Sequence, residues 1–377
     1  MSRCAVIGIG QTKHAAKRGD VSIPGLVREA ALRALEDAQL TFADIDAVVL
    51  GKAPDMFEGV NQPSLFLAGA LGAVGKPMFR VHTAGSVGGS TAVVAAHHVM
   101  SGQYKRVLTV AFEKQSESNA MWALSQRFPF QPPVAAGAGG YFAPIIRAYI
   151  RRSDAPEHVG WKVAVKDRLN ALKNPYAHLH MHDITLEKVA KSPMLWDPIR
   201  YLDTCPSSDG AVAMVLSDDP LDCKNPAWVR GTAVRTESML FAGRDEVNPR
   251  AGAECATSVY KESGIGPDEL DCAEIYVPFS WYEPMWLENL HLFENGWRAV
   301  DNGDTEIGGK LPINPSGGVM ASNPIGASGM LRFAEAALQV RGMAGAHQIE
   351  GARNAMGHAY GGGSQFFAMW VVSSQPG

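Results

Sequence analysis

The feature that most constrains the fold of this chain is an internal repeat. Residues 31–47 and residues 256–272 each have the pattern of the end of an amphipathic helix, a short acidic turn and the start of an apolar strand. A matching first strand precedes each of them, at Ala5–Gly8 and at Trp228–Gly231. Strands that alternate with helices are typical of an α/β sheet. We therefore expect two related α/β halves.

A glycine-rich loop followed by a helix and a strand recurs in the second part of each half. Gly85–Ser90 leads into an Ala/Val-rich helical stretch and then the strand Arg106–Val110. Asn323–Gly329 leads into a predicted helix, Met330–Val340, and a strand-like segment, Ala355–Tyr360. If the halves are related by pseudo-symmetry, the two glycine-rich loops lie near each other.

The stretch between residues 115 and 200 interrupts the repeat. It contains several prolines and a glycine-rich run, and then a basic, histidine-rich segment that includes Lys166, Arg168 and His178. We predict a loop insertion at about residues 115–200 within an N-terminal half, 1–218, which is followed by a C-terminal half, 226–377. A basic insertion is usually solvated surface, and a site for a phosphate-bearing ligand is the second interpretation.

Composition limits the functional classes. A hydrophobic fraction of 46% and a charged fraction of 19% are typical of a soluble globular protein, and a net charge of −4 gives no case for nucleic acid or an anionic membrane surface. No apolar run approaches the roughly 20 residues of a membrane span, and the N-terminus lacks a signal-peptide layout. Five scattered cysteines without metal spacing predict reduced thiols in a cytoplasmic protein and no metal site.

Five motifs follow one another along nearly the whole chain. From Arg80 the sequence reads RVHTAGSVGGS, Glu274–Ser280 reads EIYVPFS, and from Asn314 it reads NPSGGVMASNPIGASG, with further motifs at Thr204–Ala213 and Gly357–Gly363. In this order they resemble the thiolase superfamily, specifically its sterol-carrier-protein or lipid-transfer-protein branch. At the three segments quoted in letters, the family typically has RVEAACASGGA, EVHDCFS and a loop containing G-H-P, respectively. The resemblance implies the thiolase fold, two pseudo-symmetric α/β halves in a layered αβαβα arrangement with an inserted loop domain.

The departures from the family pattern fall on its catalytic residues. Gly85 stands where the family keeps its nucleophilic cysteine, Asn323 replaces the histidine of the G-H-P loop, and Tyr276 replaces the histidine of H-D-C-F. Ser86 is next to Gly85, but a serine nucleophile needs an adjacent base. Asn323 can donate a hydrogen bond to an oxyanion but cannot shuttle a proton.

Three ionisable side chains lie in segments that match catalytic motifs, and we take them as the candidate catalytic residues: Tyr276, His358 and Tyr360. A histidine can act as a base or an acid near neutral pH, whereas a tyrosine is a base only if neighbours lower its pKa from about 10. His82 is more typical of a structural histidine. The candidates for contact with the substrate or an oxyanion are Gly85, Ser86, Asn323, His82 and Gly361. The run Trp281–Trp286 and the tract Ser116–Leu124 are expected to form an apolar wall or a subunit contact.

A retro-aldol cleavage fits these residues, because it forms a thioester enolate without a covalent intermediate. The resemblance to lipid-transfer-type proteins that lack the cysteine implies an aldolase that cleaves a β-hydroxyacyl-CoA on a sterol or bile-acid side chain. It also implies a homodimeric or heterodimeric core with a small OB-fold and zinc-ribbon partner. No cofactor is expected, since the CoA thioester is the substrate. The alternatives are an acyl-CoA acetyltransferase that uses Ser86, and a non-catalytic lipid- or acyl-CoA-binding subunit.

Overall fold

The computed structural model describes residues 3–53, 62–119, 124, 137–238 and 243–377. None of the helices in these ranges combines the length and the apolar surface that a bilayer-spanning segment requires. The strands are β1 (Ala5–Gln11), β2 (Ala47–Lys52), β3 (Met78–Val81), β4 (Arg106–Lys114), β5 (Met194–Trp196), β6 (Ile199–Arg200), β7 (Asp209–Ser217), β8 (Ala227–Thr236), β9 (Cys272–Glu274), β10 (Asn354–Gly361) and β11 (Phe366–Ser373). The α-helices are α1 (Ile23–Asp37), α2 (Val87–Met100), α3 (Gly137–Ser153), α4 (His158–Ala171), α5 (Leu186–Lys191), α6 (Arg250–Ser263), α7 (Tyr282–Asn289), α8 (Gly296–Asn302), α9 (Gly318–Ala321) and α10 (Ile325–Arg341).

The main sheet contains the predicted repeat. Its strand order is β3-β2-β4-β7-β1-β8-β11-β10-β9. Outward from β1, two antiparallel pairs (β1–β7 and β7–β4) are followed by two parallel pairs (β4–β2 and β2–β3). Outward from β8, two antiparallel pairs (β8–β11 and β11–β10) are followed by the parallel pair β10–β9 and a parallel bridge between Ala273 and Ile313. The two runs have the same order and directions, so they are pseudo-symmetric half-sheets, joined by the short β1–β8 ladder.

Local sequence explains where several of the helices begin and end. Helix α1 begins after Ser22, whose Oγ accepts a hydrogen bond from the Gly25 backbone N at 3.2 Å. Helices α6 and α10 both end at a glycine in the left-handed region, Gly264 with φ +67° and Gly342 with φ +68°. Strand β9 ends at Glu274, and the next residue, Ile275, donates its backbone N–H to Asn314 Oδ1 at 2.8 Å. Tyr276 therefore leaves the sheet.

Two buried helices, α2 and α10, form the layer between the half-sheets. They cross closely at glycines: a Cβ atom at Gly88 would lie 2.4 Å from the Met330 backbone N, and one at Gly329 would lie 2.7 Å from the Gly89 backbone N. Each half-sheet is covered on its outer face by one helix, α1 on the N-terminal half and α6 on the C-terminal half. The predicted αβαβα layers are therefore confirmed.

The insertion between β4 and β7 contains α3, α4, α5 and the β5–β6 hairpin. Lys166 and Arg168 on α4 are buried. Lys166 Nζ lies 2.7 Å from both carboxylate oxygens of Glu283, and Arg168 donates to the Thr204 carbonyl oxygen at 3.0 Å. The prediction that this basic segment is solvated surface is wrong for these two residues. Both cations bind groups of the fold itself, so they do not form a phosphate site.

The aromatic run Trp281–Trp286 begins just before α7 and is buried throughout. The Trp286 ring lies 4.9 Å from the Tyr360 ring, measured between centroids. The run belongs to the hydrophobic core, and none of its side chains lines the cavity described below, so neither the predicted apolar wall nor the predicted subunit contact is formed by it. Residues 120–123 of the tract Ser116–Leu124 lie outside the described residues.

Candidate active site

A cavity of about 220 Å³ lies where the two glycine-rich loops meet. Most of its wall is apolar, and the polar side chains on it come from both halves of the chain. Pseudo-symmetry brings the loops together as predicted, because each precedes a helix of the central layer, α2 or α10. The residues that line the cavity include Ala84, Gly85, Phe142, Cys205, Tyr276, Phe279, Asn323, Ile325, Tyr360 and Gly361.

Gly85 leaves an open position on the cavity wall. A Cβ atom at this position would lie 3.4 Å from the Tyr360 carbonyl oxygen and 3.9 Å from Tyr276 Oη, which are ordinary contacts. The preceding residue, Ala84, has φ +51°, a left-handed conformation that residues with a Cβ rarely adopt. The loop therefore keeps a strained turn next to position 85, and the Tyr276 hydroxyl borders the space that a side chain at that position would enter.

Ser86 is fully buried and does not line the cavity. Its Oγ lies 2.8 Å from the Thr83 carbonyl oxygen, to which it donates, and 2.9 Å from Thr83 Oγ1. Among the described residues, no histidine, lysine or carboxylate is hydrogen-bonded to this hydroxyl. The geometry therefore gives Ser86 a structural role at the start of α2. His82 is exposed and also lies off the cavity wall.

A hydrogen-bond network connects Tyr276 to the second loop. The Tyr276 hydroxyl donates to Asn323 Oδ1 at 3.4 Å, and the Ser328 hydroxyl donates to the same oxygen at 2.7 Å. The Asn323 Nδ2 group donates to Cys205 Sγ at 3.1 Å. Asn323 is thus held on the cavity wall with its amide nitrogen available as the donor that the sequence predicts.

Cys205 is a polar site residue that the motifs did not predict. Its backbone N donates to the Pro278 carbonyl oxygen at 2.9 Å, and Thr204 forms an antiparallel bridge with Phe279. Pro278 stands where the E-V-H-D-C-F-S pattern has its cysteine, so this pairing brings a thiol to a segment that lacks one. Burial raises the pKa of the Cys205 thiol to about 11, and the thiol is therefore protonated at neutral pH. The T-C-P motif marks this cysteine in the sequence but does not indicate its pairing with Pro278.

Tyr360 lines the cavity from within an aromatic enclosure. Its ring centroid lies 5.3 Å from that of Tyr276, in an edge-to-face contact, and 5.5 Å from that of Tyr282, in a stacked contact. Its hydroxyl forms no hydrogen bond with the described part of the chain. Burial raises the pKa of both Tyr276 and Tyr360 well above the usual 10, so both are neutral phenols at pH 7.

His358 lies behind Tyr360 and does not line the cavity. Its Nδ1 accepts a hydrogen bond from the Tyr276 backbone N at 3.3 Å, which leaves the ring proton on Nε2. Burial lowers the pKa of His358 to about 3, so the imidazole is neutral. In this conformation it holds the backbone of Tyr276 and has no contact with the cavity.

Gly361 is where strand β10 touches the loop of Gly85. A Cβ atom at Gly361 would lie 2.3 Å from the Ser86 backbone N and 2.4 Å from the Gly85 backbone N, which is far inside contact distance. Only glycine fits this approach between the two halves.

Among the described residues, no group of three His, Cys, Asp or Glu side chains is arranged to hold a metal ion.

Known proteins share both the sequence and the fold. A family model described as "Thiolase C-terminal domain-like" matches residues 232–374. An acetyl-CoA acetyltransferase from Methanothermobacter thermautotrophicus is 32% identical over 397 residues, which cover 99% of this chain and 100% of that protein. The chain belongs to the thiolase superfamily. The layered fold and the family resemblance predicted from the motifs are thereby confirmed.

Two further relatives place this thiolase-like chain within the superfamily. Sterol carrier protein 2 of Rattus norvegicus is 28% identical over 394 residues, which cover 96% of this chain and 70% of that protein. The solved structure of the Ltp2–ChsH2(DUF35) aldolase has a TM-score of 0.84 at 26% identity, covering 99% of this chain and 98% of that one. The chain is thus of the sterol-carrier-protein type and resembles an aldolase. Because its relatives include both an acetyltransferase and an aldolase, the cavity residues must distinguish the two chemistries.

Proposed function

We propose that this protein is a carbon–carbon lyase that cleaves a β-hydroxyacyl-CoA by a retro-aldol reaction. The products are a short acyl-CoA and a ketone or aldehyde. The observation that carries the proposal is the pairing of Gly85, which has no nucleophile, with the Tyr276 hydroxyl beside it. A thiolase requires a cysteine thiolate at that position. Retro-aldol cleavage requires only hydrogen-bond donors to the enolate oxygen and a base that accepts the β-hydroxyl proton.

The reaction balances with groups that this chain supplies. The bond between the α and β carbons breaks, the β-hydroxyl loses its proton and becomes a carbonyl, and the bonding electron pair moves into the thioester as an enolate. The enolate then takes a proton at the α carbon. No acyl carrier, oxidant or reductant takes part.

The two tyrosines are assigned to the reacting oxygens. One of them, as its phenolate, takes the β-hydroxyl proton; burial makes this form scarce at neutral pH. The other stays a neutral phenol and donates a hydrogen bond to the thioester oxygen, a donor that contributes a factor of about 10²–10³ in rate. Asn323 Nδ2 supplies a further donor, and His358 acts as a positioning residue through the Tyr276 backbone.

A steroid side chain is the proposed substrate, and the wall of the cavity supports it. The side chains that extend from the tyrosines are apolar, including Phe142, Phe279 and Ile325. Such a surface stabilises a bulky hydrocarbon by removing it from water. We also propose a dimeric core with a small OB-fold and zinc-ribbon partner. The aldolase with which this fold superposes is itself named as a pair of proteins.

The proposal is tested by product analysis. The protein, with and without a co-expressed zinc-ribbon partner, is incubated with a steroid β-hydroxyacyl-CoA, and the CoA esters are identified by mass spectrometry. We expect acetyl-CoA or propionyl-CoA together with one equivalent of steroid ketone or aldehyde. Release of neither product under any condition would falsify the proposal.

The 32% identity with an acetyl-CoA acetyltransferase favours acyl transfer as the second candidate. This route needs a nucleophile, and Ser86 is turned to Thr83 while burial keeps Cys205 protonated. Incubation with acetyl-CoA followed by intact-protein mass spectrometry separates the two candidates. An added acetyl group supports the transferase, and an unchanged mass is expected for the aldolase. A non-catalytic binding subunit, the third candidate, predicts that tyrosine variants leave the activity of its complex unchanged.

A further inference from the structure

We propose that Cys205 is the acid that protonates the α carbon of the thioester enolate. This inference rests on the proposed retro-aldol cleavage and names the group that completes it. Cys205 lines the same cavity as Tyr276, Tyr360 and Asn323. Its Sγ is oriented by the Asn323 Nδ2 group, which donates to it at 3.1 Å.

The other polar groups on the described cavity wall have different uses. Tyr276 and Tyr360 serve the reacting oxygens, and Asn323 has no proton to give. The Tyr141 hydroxyl donates to Glu246 Oε2 at 3.2 Å. The Cys205 thiol is therefore the remaining proton donor on this wall that is not already assigned.

Backbone pairing fixes the thiol relative to Tyr276. The segment of residues 203–205 runs along residues 278–280: the Cys205 N donates to the Pro278 carbonyl oxygen at 2.9 Å, and the Ser280 N donates to the Asp203 carbonyl oxygen at 2.9 Å. The Ser280 hydroxyl also donates to Asp203 Oδ1 at 2.9 Å. Because these bonds lie just beyond Tyr276, they give the thiol a defined position in the site.

The chemistry of the thiol suits a carbon acid–base step. An enolate carbon is a much stronger base than a thiolate, so a protonated thiol transfers its proton readily. The S–H bond breaks, the Cα–H bond forms, and the resulting thiolate accepts the Asn323 hydrogen bond. The thiolate regains a proton from the tyrosine that took the β-hydroxyl proton, so the cycle closes without another reagent.

The test follows deuterium in the product. Wild type, Cys205→Ser and Cys205→Ala are each incubated in D₂O with a steroid 2-methyl-3-hydroxyacyl-CoA. The rate of propionyl-CoA release and the configuration at its deuterated α carbon are then measured. Cys223→Ser is the matched control, because Cys223 is half-buried beside Arg341 and does not line the cavity.

We expect wild type and Cys223→Ser to release one enantiomer of [2-²H]propionyl-CoA. In both Cys205 variants we expect kcat to fall about 10²–10⁴-fold with KM little changed, because general acid catalysis is lost. The released propionyl-CoA should be a mixture of enantiomers, since water protonates the enolate from either face. Unfolding midpoints check that the variants are folded. If both variants unfold, reversible blocking of the thiol with methyl methanethiosulfonate in the Cys223→Ser background gives the same two readouts.

Two results overturn this proposal alone: wild-type rates in the Cys205 variants, or slow variants that still release a single enantiomer. The second result would mean that Cys205 only supports the structure. Failure of wild type to release any acyl-CoA is a different result. It overturns the proposed retro-aldol function and the role of Cys205 together.

Discussion

The hydroxyl of Tyr276 lies 3.9 Å from the place where a Cβ atom on Gly85 would stand. In this thiolase fold, the position of the lost nucleophile thus faces a phenol from the other half of the chain. Gly85 and Tyr276 stand where the family pattern has a cysteine and a histidine, so these two departures meet at one point of the cavity. The predictions below follow from this contact and from the burial around it.

Restoring the cysteine should not restore thiolase chemistry. In Gly85→Cys the Cβ fits, but the sulfur enters the space beside the Tyr276 hydroxyl, and Asn323 cannot serve as the missing histidine base. We expect a folded protein whose lyase activity is at least about tenfold lower and which gains no thiolytic activity, because the new side chain excludes the substrate oxygen. Gly85→Ala, which adds only the Cβ, is the control. A thiolytically active Gly85→Cys enzyme would contradict this account.

Removing either tyrosine hydroxyl should lower catalysis far more than stability. We expect Tyr276→Phe and Tyr360→Phe to lower kcat by about 10²–10³-fold each. Tyr360→Phe should leave the free energy of unfolding nearly unchanged, because its hydroxyl has no described protein partner, whereas Tyr276→Phe loses about 1 kcal/mol with its bond to Asn323. Steady-state kinetics and urea unfolding measure both effects. Tyr201→Phe, at an exposed position, is the control and should match wild type.

The pH dependence of the reaction should report a phenol. Burial raises the pKa of Tyr276 and Tyr360 above 10, so the phenolate that accepts the β-hydroxyl proton becomes more populated as the pH rises. We expect kcat/KM to increase throughout pH 7–10 without a plateau. An activity profile that levels off above a pKa near 6.5 would instead indicate a histidine base and would contradict the assignment of that role to a tyrosine.

The close approach of Gly361 to the loop of Gly85 should tolerate no side chain. In Gly361→Ala the added Cβ would stand 2.3 Å from the Ser86 backbone N, so the strand or the loop must move. We expect a loss of about 1–3 kcal/mol in the free energy of unfolding and loss of activity. Gly266→Ala is the matched control: its nearest neighbour would be 3.6 Å away, and the change should stay within about 0.5 kcal/mol. Equal stability of the two variants would contradict the observed contact.

Acid should destabilise the fold through buried neutral histidines. Burial lowers the pKa of His358 and of His14 to about 3 in the folded chain, whereas an unfolded histidine titrates near 6.5. The unfolded state therefore binds more protons between pH 6.5 and 3, and stability present above pH 6.5 is lost as the pH falls through this window. Each of the two histidines lowers the free energy of unfolding by up to about 1.4 kcal/mol for each pH unit of this fall. In urea titrations from pH 7.5 to 4.5, His358→Asn should show a shallower loss than wild type, and an unchanged slope would contradict this role of burial.

Sequence periodicity and motifs predicted most of this fold. The two half-sheets, the central helices and the meeting of the glycine-rich loops all depend on local patterns that recur along the chain. Helix α10 begins at Ile325, earlier than the predicted Met330, because Gly326 and Gly329 lie inside it, where they allow close packing on neighbouring backbone. From sequence alone, a glycine indicates a loop or a helix end, because glycine disfavours helix interiors. The neighbouring backbone that requires a glycine inside this helix is visible only in the structure.

The site was predicted only in part, for a physical reason. Motif positions identified Gly85, Tyr276, Asn323 and Tyr360, and the structure brings these together on one cavity. The place of Cys205 depends on a non-local backbone pairing with Pro278, and no pattern near the cysteine contains that information. The burial of His358 likewise depends on packing from other elements, such as Trp286, whose ring lies 5.6 Å away.

The most direct measurement of the central claim is the stoichiometry of free CoA during cleavage of a steroid β-hydroxyacyl-CoA. Retro-aldol cleavage consumes no free CoA, whereas thiolysis consumes one molecule for each bond broken. We predict that wild-type protein, with the proposed zinc-ribbon partner, releases one short acyl-CoA and one steroid ketone or aldehyde per substrate while added CoA stays constant. Cleavage that requires added CoA and consumes it in equal amount would contradict the account.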